Sequence, residues 1–172
     1  MRIYDYNART LASEVAIEDL TMQARKFKYD VTELTETRRR HPFNAVYKTG
    51  EELLGTRDNR GVGGVGVFVN TSVAKTIDSF EQLTTHIGRL RMRRCGSTPA
   101  LTIFVAYAPT SSYEEEKVEA FYMDLEMFYR EDHTFYQVII GDFNAKIGPR
   151  RMPEQLTAYN GMNRGRGSPS SS

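Results

Sequence analysis

The chain of 172 residues has a single cysteine, Cys95. That excludes an internal disulfide framework and any zinc site built on cysteines. Histidine is scarce as well: His41, His86 and His133 lie far apart, without the spacing that sets two imidazoles on one helical face. No run approaches the ~20 apolar residues of a membrane-spanning helix. Charge interrupts the N-terminus, Met1-Arg2-Ile3-Tyr4-Asp5-Tyr6, where a signal peptide needs an apolar stretch. The expectation is an intracellular protein, nuclear or cytoplasmic, with no membrane partner. Nor does one sign of charge dominate. A net charge of +1 excludes a uniformly basic nucleic-acid coat and leaves any affinity for phosphate to local clusters.

What is present is globular in character, with 40% hydrophobic and 26% charged residues. The length suits one domain, of a size that buries roughly 70% of its unfolded surface. Ile3 to Ala8 reads as a first strand. Ser13 offers an N-cap, and Val15, Ile17, Leu20, Ala24 and Phe27 recur near helical spacing, so a helix is predicted from about Glu14 to Lys28. Val31 to Thr35, Asn44 to Tyr47 and Val65 to Val69 read as strands, the last entered through a polar, glycine-rich turn over Thr56 to Gly64. Ile87 to Arg94 alternates apolar and basic residues, as a strand with one wet face does. Leu101 to Ala106 is strongly β-forming and is broken by Tyr107-Ala108-Pro109-Thr110.

Ser112 caps the next predicted helix, with Glu114, Glu115 and Glu116 at its positive end and an apolar stripe of Val118, Phe121, Tyr122, Leu125 and Phe128. Phe135 to Ile140 is the last strand. Strands alternating with helices and hairpins predict a mixed α/β sheet core. Tyr122, Phe128, Tyr129 and Phe135 are expected to pack it. Residues 157–172 lack anything apolar enough to pack and read as a disordered tail.

The chemistry-bearing segment is Val138-Ile139-Ile140-Gly141-Asp142-Phe143-Asn144. An apolar strand delivers a carboxylate at its end, and an amide two residues later faces the same way. Such a pair can orient a water and hold its target in line, as phosphodiester hydrolysis requires. From the residues alone, the same segment can equally be a strand end closed by an Asx turn. Other strand ends carry polar residues too: Asn7, Glu36 after Val31 to Thr35, and Tyr107 after Leu101 to Ala106. A site along one sheet edge follows, where α/β proteins place ligands. A hard oxygen ligand such as Glu36 suits Mg²⁺.

Two basic clusters, Arg38-Arg39-Arg40-His41 and Arg89-Leu90-Arg91-Met92-Arg93-Arg94, either hold DNA phosphates or are solvated faces. Gly61-Val62-Gly63-Gly64-Val65-Gly66 lacks the Lys-Ser/Thr ending of a phosphate loop and reads as a hairpin turn.

Taken together, Asn7-Ala8-Arg9-Thr10-Leu11, Leu34-Thr35-Glu36-Thr37-Arg38-Arg39, Tyr107-Ala108-Pro109-Thr110 and Gly141-Asp142-Phe143-Asn144 resemble the endonuclease/exonuclease/phosphatase superfamily. Within it, residues 3–156 are most similar to the apurinic-endonuclease-like domain of RTE-type LINE retrotransposons and craniofacial development protein 2-like sequences. The resemblance implies a four-layered α/β sandwich, two β-sheets flanked by helices, and a Mg²⁺-dependent endonuclease that nicks DNA, with Mn²⁺ as the alternative ion and no small-molecule cofactor. It implies Glu36 as the metal ligand with Asn7 beside the metal. Asp142 would orient or activate the attacking water, Asn144 would position the scissile phosphate, and Tyr107 would contact it. Arg38, Arg39 and Arg40 would meet the DNA.

The family's later motifs, an aspartate within Ile-Asp-His/Tyr and a final Ser-Asp-His, find no match after Asn144. The expectation is therefore the N-terminal part of the sandwich, residues 1–156, with its C-terminal part missing and a frameshifted tail at 157–172. A catalytically inactive truncated remnant that binds nucleic acid weakly is the other expectation. Glu33 also departs from the family, which has a small residue there; a carboxylate inside a buried strand is costly without a partner.

Overall fold

The computed structural model describes residues 1–7, 14–37, 43–56, 64–110 and 115–143, without the side chains at 7, 14 and 43. The caps read at Ser13 and Ser112, Arg38, Arg39, Arg40, Asn144, the tail and most of the glycine-rich turn lie outside the described residues.

Strands β1 (Ile3–Asn7) and β2 (Val31–Thr35) are joined by helix α1 (Glu14–Phe27) and pair in parallel, Ile3 against Val31 through Asn7 against Thr35. A helical crossover is what a parallel pair requires. Strands β3 (Phe43–Val46), β4 (Glu52–Gly55) and β5 (Val65–Val69) complete this sheet in antiparallel fashion, giving the order β1-β2-β5-β4-β3. The Val-Gly-Val-Phe-Val run of β5 is apolar on both faces, and its five residues are all buried.

A four-residue helix α2 (Thr71–Ala74), capped by the Asn70 side chain accepting from the Ser72 N–H at 3.2 Å, carries the chain to the second sheet. There β6 (Ile77–Gln82), β7 (Ile87–Met92) and β8 (Leu101–Tyr107) form antiparallel pairs. Helix α3 (Glu115–Glu131) then returns β9 (Tyr136–Asp142) parallel to β8, for the order β6-β7-β8-β9.

The sheets stack face to face, and strand alternation divides their side chains between two kinds of core. Val31, Val65, Val67, Val69, Leu90, Ile103, Val105 and Ile140 meet between the sheets. Leu20 and Ala24 of α1 cover Leu34, Leu53 and Phe68 on the outer face of the first sheet. Phe121 and Leu125 of α3 cover Ile87, Phe104, Ala106 and Ile139 on the outer face of the second. The result is four layers, helix, sheet, sheet and helix. Among the described residues no helix is long and apolar enough to cross a membrane.

One expectation needs correction. Phe135 is not in the core: it is 88% exposed, precedes β9, and stands edge-on to Tyr136 with ring centroids 4.9 Å apart. Two arginines of the second basic cluster have counter-charges within the chain. Arg89 pairs with Glu81 at 2.6 Å, and Arg91 with Asp132 at 3.0 Å.

Candidate active site

Each sheet contains one parallel pair, and within a pair both strands finish at the same edge. Asn7 is opposite Thr35 at the end of β1 and β2, and Tyr107 is opposite Asp142 at the end of β8 and β9. The two edges coincide, because the Tyr107 hydroxyl donates to Glu36 Oε1 at 2.7 Å across the gap between the sheets. Both residues are buried, at 5% and 4% exposure. A hydrogen bond between groups 71 positions apart in the chain thus joins the sheets at the candidate site.

The local backbone is shaped for this. Glu36 has a φ of +55°, a left-handed conformation that costs a non-glycine residue about 1–2 kcal/mol and recurs where structure serves function. The turn is held by the Thr37 N–H, which donates to the Gly64 carbonyl at 3.3 Å. Gly64 has a φ of +103°, and a Cβ there would lie 2.6 Å from the Thr37 hydroxyl oxygen. At the opposite strand end, a Cβ on Gly141 would fall 1.9 Å from the Ala106 carbonyl oxygen, so only glycine lets β9 run this close to β8. The Ala108 N–H donates to the Asp142 carbonyl at 2.9 Å and fixes the register one step beyond the strands.

Alternation places further polar groups between the sheets at this edge. Ile140 belongs to the inter-sheet core, so Asp142, two residues on, faces the same way. Val31 does likewise on β2, and Glu33 and Thr35 follow it. Asp5 is opposite Glu33 in the parallel register. Burial pushes the Glu33 carboxyl well above the usual glutamate range, and the negative charges of Asp5 and Asp142 push it further. Burial also raises Asp5, with Asp142 adding to it. Glu33 Oε1, Thr35 Oγ1 and Thr37 Oγ1 are buried without a hydrogen-bond partner among the described residues.

Of the residues singled out from the sequence, Glu36, Tyr107 and Asp142 come together, and the backbone of Asn7 ends at the same edge. The sequence reading missed Asp5 and His86. Asp5 is two residues before Asn7, and period-two spacing was the available signal. The His86 ring is 6.0 Å from that of Tyr107 and 6.3 Å from that of Phe121, and its carbonyl accepts from the Tyr107 N–H at 2.9 Å. A β-hairpin between β6 and β7 brings it there, which no local pattern announces.

Among the described residues, no group of three or more His, Cys, Asp or Glu side chains is arranged to hold a metal. Mg²⁺ does not need one: it takes one or two carboxylates and keeps several waters. Glu36 suits that role chemically, because a carboxylate offers about four lone-pair sites and the bond from Tyr107 takes one of them.

No protein-family model matches the chain, and no curated protein matches it. Solved structures do. The endonuclease domain of TRAS1, a telomere-specific non-LTR retrotransposon, aligns with a TM-score of 0.57 at 17% identity over 94% of this chain and 69% of that one. An AP endonuclease from Archaeoglobus fulgidus aligns with a TM-score of 0.62 at 14% identity over 91% and 63%. The catalytic domain of Xenopus laevis APE2 aligns with a TM-score of 0.56 at 17% identity over 84% and 59%. The chain thus spans roughly three fifths to two thirds of the length of these neighbours. Two stacked mixed sheets between helices are the fold that this chain shares with these endonuclease structures.

Proposed function

We propose that this chain is the site-bearing part of a Mg²⁺-dependent endonuclease of the RTE retrotransposon type, which nicks DNA by hydrolysing a phosphodiester bond. The observation that carries the proposal is the Tyr107–Glu36 hydrogen bond between the sheets, beside Asp142 in register with Tyr107. In this reading Glu36 holds the Mg²⁺ with Asn7 beside it, and Mn²⁺ substitutes. The bound ion supplies charge to offset what builds on the phosphoryl oxygens. Asp142 orients and deprotonates the attacking water, while Asn144 places the scissile phosphate in line with it. The Tyr107 hydroxyl fixes the Glu36 carboxylate and contacts the phosphate. Arg38, Arg39 and Arg40 follow Glu36 after Thr37 and hold the DNA backbone through its phosphates.

The test is relaxation of supercoiled plasmid by the purified chain, with Mg²⁺ and with chelator. The expected result is Mg²⁺-dependent nicking that falls by roughly 10²–10⁴-fold in Asp142→Ala, the range for loss of a general base. A wild-type chain that leaves the plasmid supercoiled, or equal nicking by the variant, overturns the proposal.

A further inference from the structure

Glu33 has no role in the chemistry just described, yet the fold places it with care. It is 1% exposed, on the inter-sheet face of β2 between Val31 and Thr35, and its Oε1 has no partner among the described residues. Asp5 of β1 stands opposite it in register, and β2 packs over β9, where Asp142 faces inward. Three carboxyl groups from three strands therefore converge behind the candidate site. An ionised carboxylate buried without a donor is costly, and one beside two others more so. A neutral carboxyl group removes the cost and adds an O–H that needs an acceptor.

We propose that Glu33 is a positioning residue for Asp142: a neutral carboxyl group, set between the sheets, that donates its O–H to the Asp142 carboxylate. The proposal rests on the reading of Asp142 as the group that orients water. A carboxylate held from behind by one donor keeps its other oxygen aimed at the water. Burial, with the charges of Asp5 and Asp142, raises the proton affinity of Glu33 and so favours the protonated form that donates. The titratable groups around it are Asp5 of β1 and Asp142 of β9, with Tyr107 of β8 and Glu36 at the same edge. Its antiparallel partner on β5 is the apolar Val67. When Glu33 ionises in alkali, the donor is lost and a further negative charge lies behind the Asp142 carboxylate.

Carboxyl-carbon NMR titration tests this, with the Glu33 signal assigned by its absence in Glu33→Gln. Glu33 is expected to titrate well above an ordinary glutamate, and to move back toward the ordinary range in Asp142→Asn. Ionisation at neutral pH, or a titration that Asp142→Asn leaves in place, overturns the proposal. This readout needs no activity, so it separates the coupling of the two carboxyls from the proposed nicking. In the plasmid assay, Glu33→Gln keeps a neutral donor and is expected to stay within about threefold of wild type, without the wild type's loss of rate in alkali. Glu33→Ala is expected to lower kcat about tenfold with KM unchanged, as for one lost charge-assisted hydrogen bond. A pH profile identical in wild type and Glu33→Gln likewise sinks the idea. If Glu33→Ala fails to fold, the Gln and Asn variants still decide it.

Discussion

At the residue scale the site depends on positions with no chemistry of their own. Gly141 is the clearest. A methyl group there would lie 1.9 Å from the Ala106 carbonyl oxygen, a backbone atom held in a parallel ladder. Gly141→Ala is expected to lower stability by about 3 kcal/mol or more, the upper end of overpacking, measured by chemical denaturation. Gly96→Ala is the control. Gly96 has a left-handed φ, +58°, which Gly141 does not, and a Cβ there meets nothing within 4 Å, so only the conformational cost of about 1 kcal/mol applies. A loss at Gly141 no larger than that at Gly96 would show that close approach to Ala106 does not fix Gly141. The sequence made Gly141, Asp142, Glu36 and Tyr107 legible because each falls at the end of a strand that its own residues announce. It left His86 and Asp5 unread: His86 reaches the site through a hairpin, and Asp5 looks like an ordinary polar residue until the sheets are stacked.

At the element scale, long apolar or periodic segments were legible and some short or mostly polar ones were not. Helices α1 and α3, and strands β2, β5, β8 and β9, each carry enough apolar residues to show their period. β4, α2 and β6 were not read. β4 is four residues with a leading Glu52, α2 is a single turn, and β6 is an edge strand whose Ile77-Asp78-Ser79-Phe80-Glu81-Gln82 is mostly polar. The counter-charges of the basic run on β7 were not legible either, since they come from elsewhere in the chain. Asp132, after α3, accepts from the Thr134 N–H at 3.0 Å, the Thr102 hydroxyl at 3.2 Å and Arg91 Nη2 at 3.0 Å, with Arg89 Nη1 at 3.7 Å. This one carboxylate ties the α3–β9 connection to β7 and β8. Asp132→Asn leaves two arginines without their shared anion. The expected loss is about 2–3 kcal/mol by denaturant titration, below the full cost of breaking a buried pair because Arg91 is partly solvated. Arg93→Ala, on an exposed side chain of the same run, is expected to change stability by less than about 0.5 kcal/mol. Equal effects from the two variants would mean that Asp132 is not the tie.

At the scale of the whole molecule, the inter-sheet core makes the two sheets one cooperative unit, and the buried carboxyls set how that unit responds to pH. They act in opposite directions. Burial pushes up on Asp132, but hydrogen bonds from Thr134, Arg91 and Thr102 outweigh it and hold the group at about 2. The Arg25 side chain, with Thr49, holds Glu51 at about 2 against its own burial. These two groups contribute stability that is fully present above their ordinary values of 3.8 and 4.5 and is lost as pH falls through about 2. Glu33 has the opposite sign. Its folded state binds the proton more tightly than its unfolded state, so its contribution is full below 4.5 and is lost as pH rises through its raised folded value. Asp5 adds to the same trend from its ordinary value of 3.8. Stability should therefore peak on the mildly acidic side of neutrality, near the 4.5 where the Glu33 and Glu51 windows meet. Thermal unfolding followed by circular dichroism from about pH 3 to pH 8 checks this. Wild type should lose Tm on both sides of the maximum, and Glu33→Gln should flatten the neutral side alone. The double variant Glu51→Gln/Asp132→Asn, less stable throughout, should flatten the acid side alone. A wild-type Tm that climbs steadily from pH 5 to pH 8 would mean that Glu33 is not protonated in the folded protein, against the direction that its burial gives.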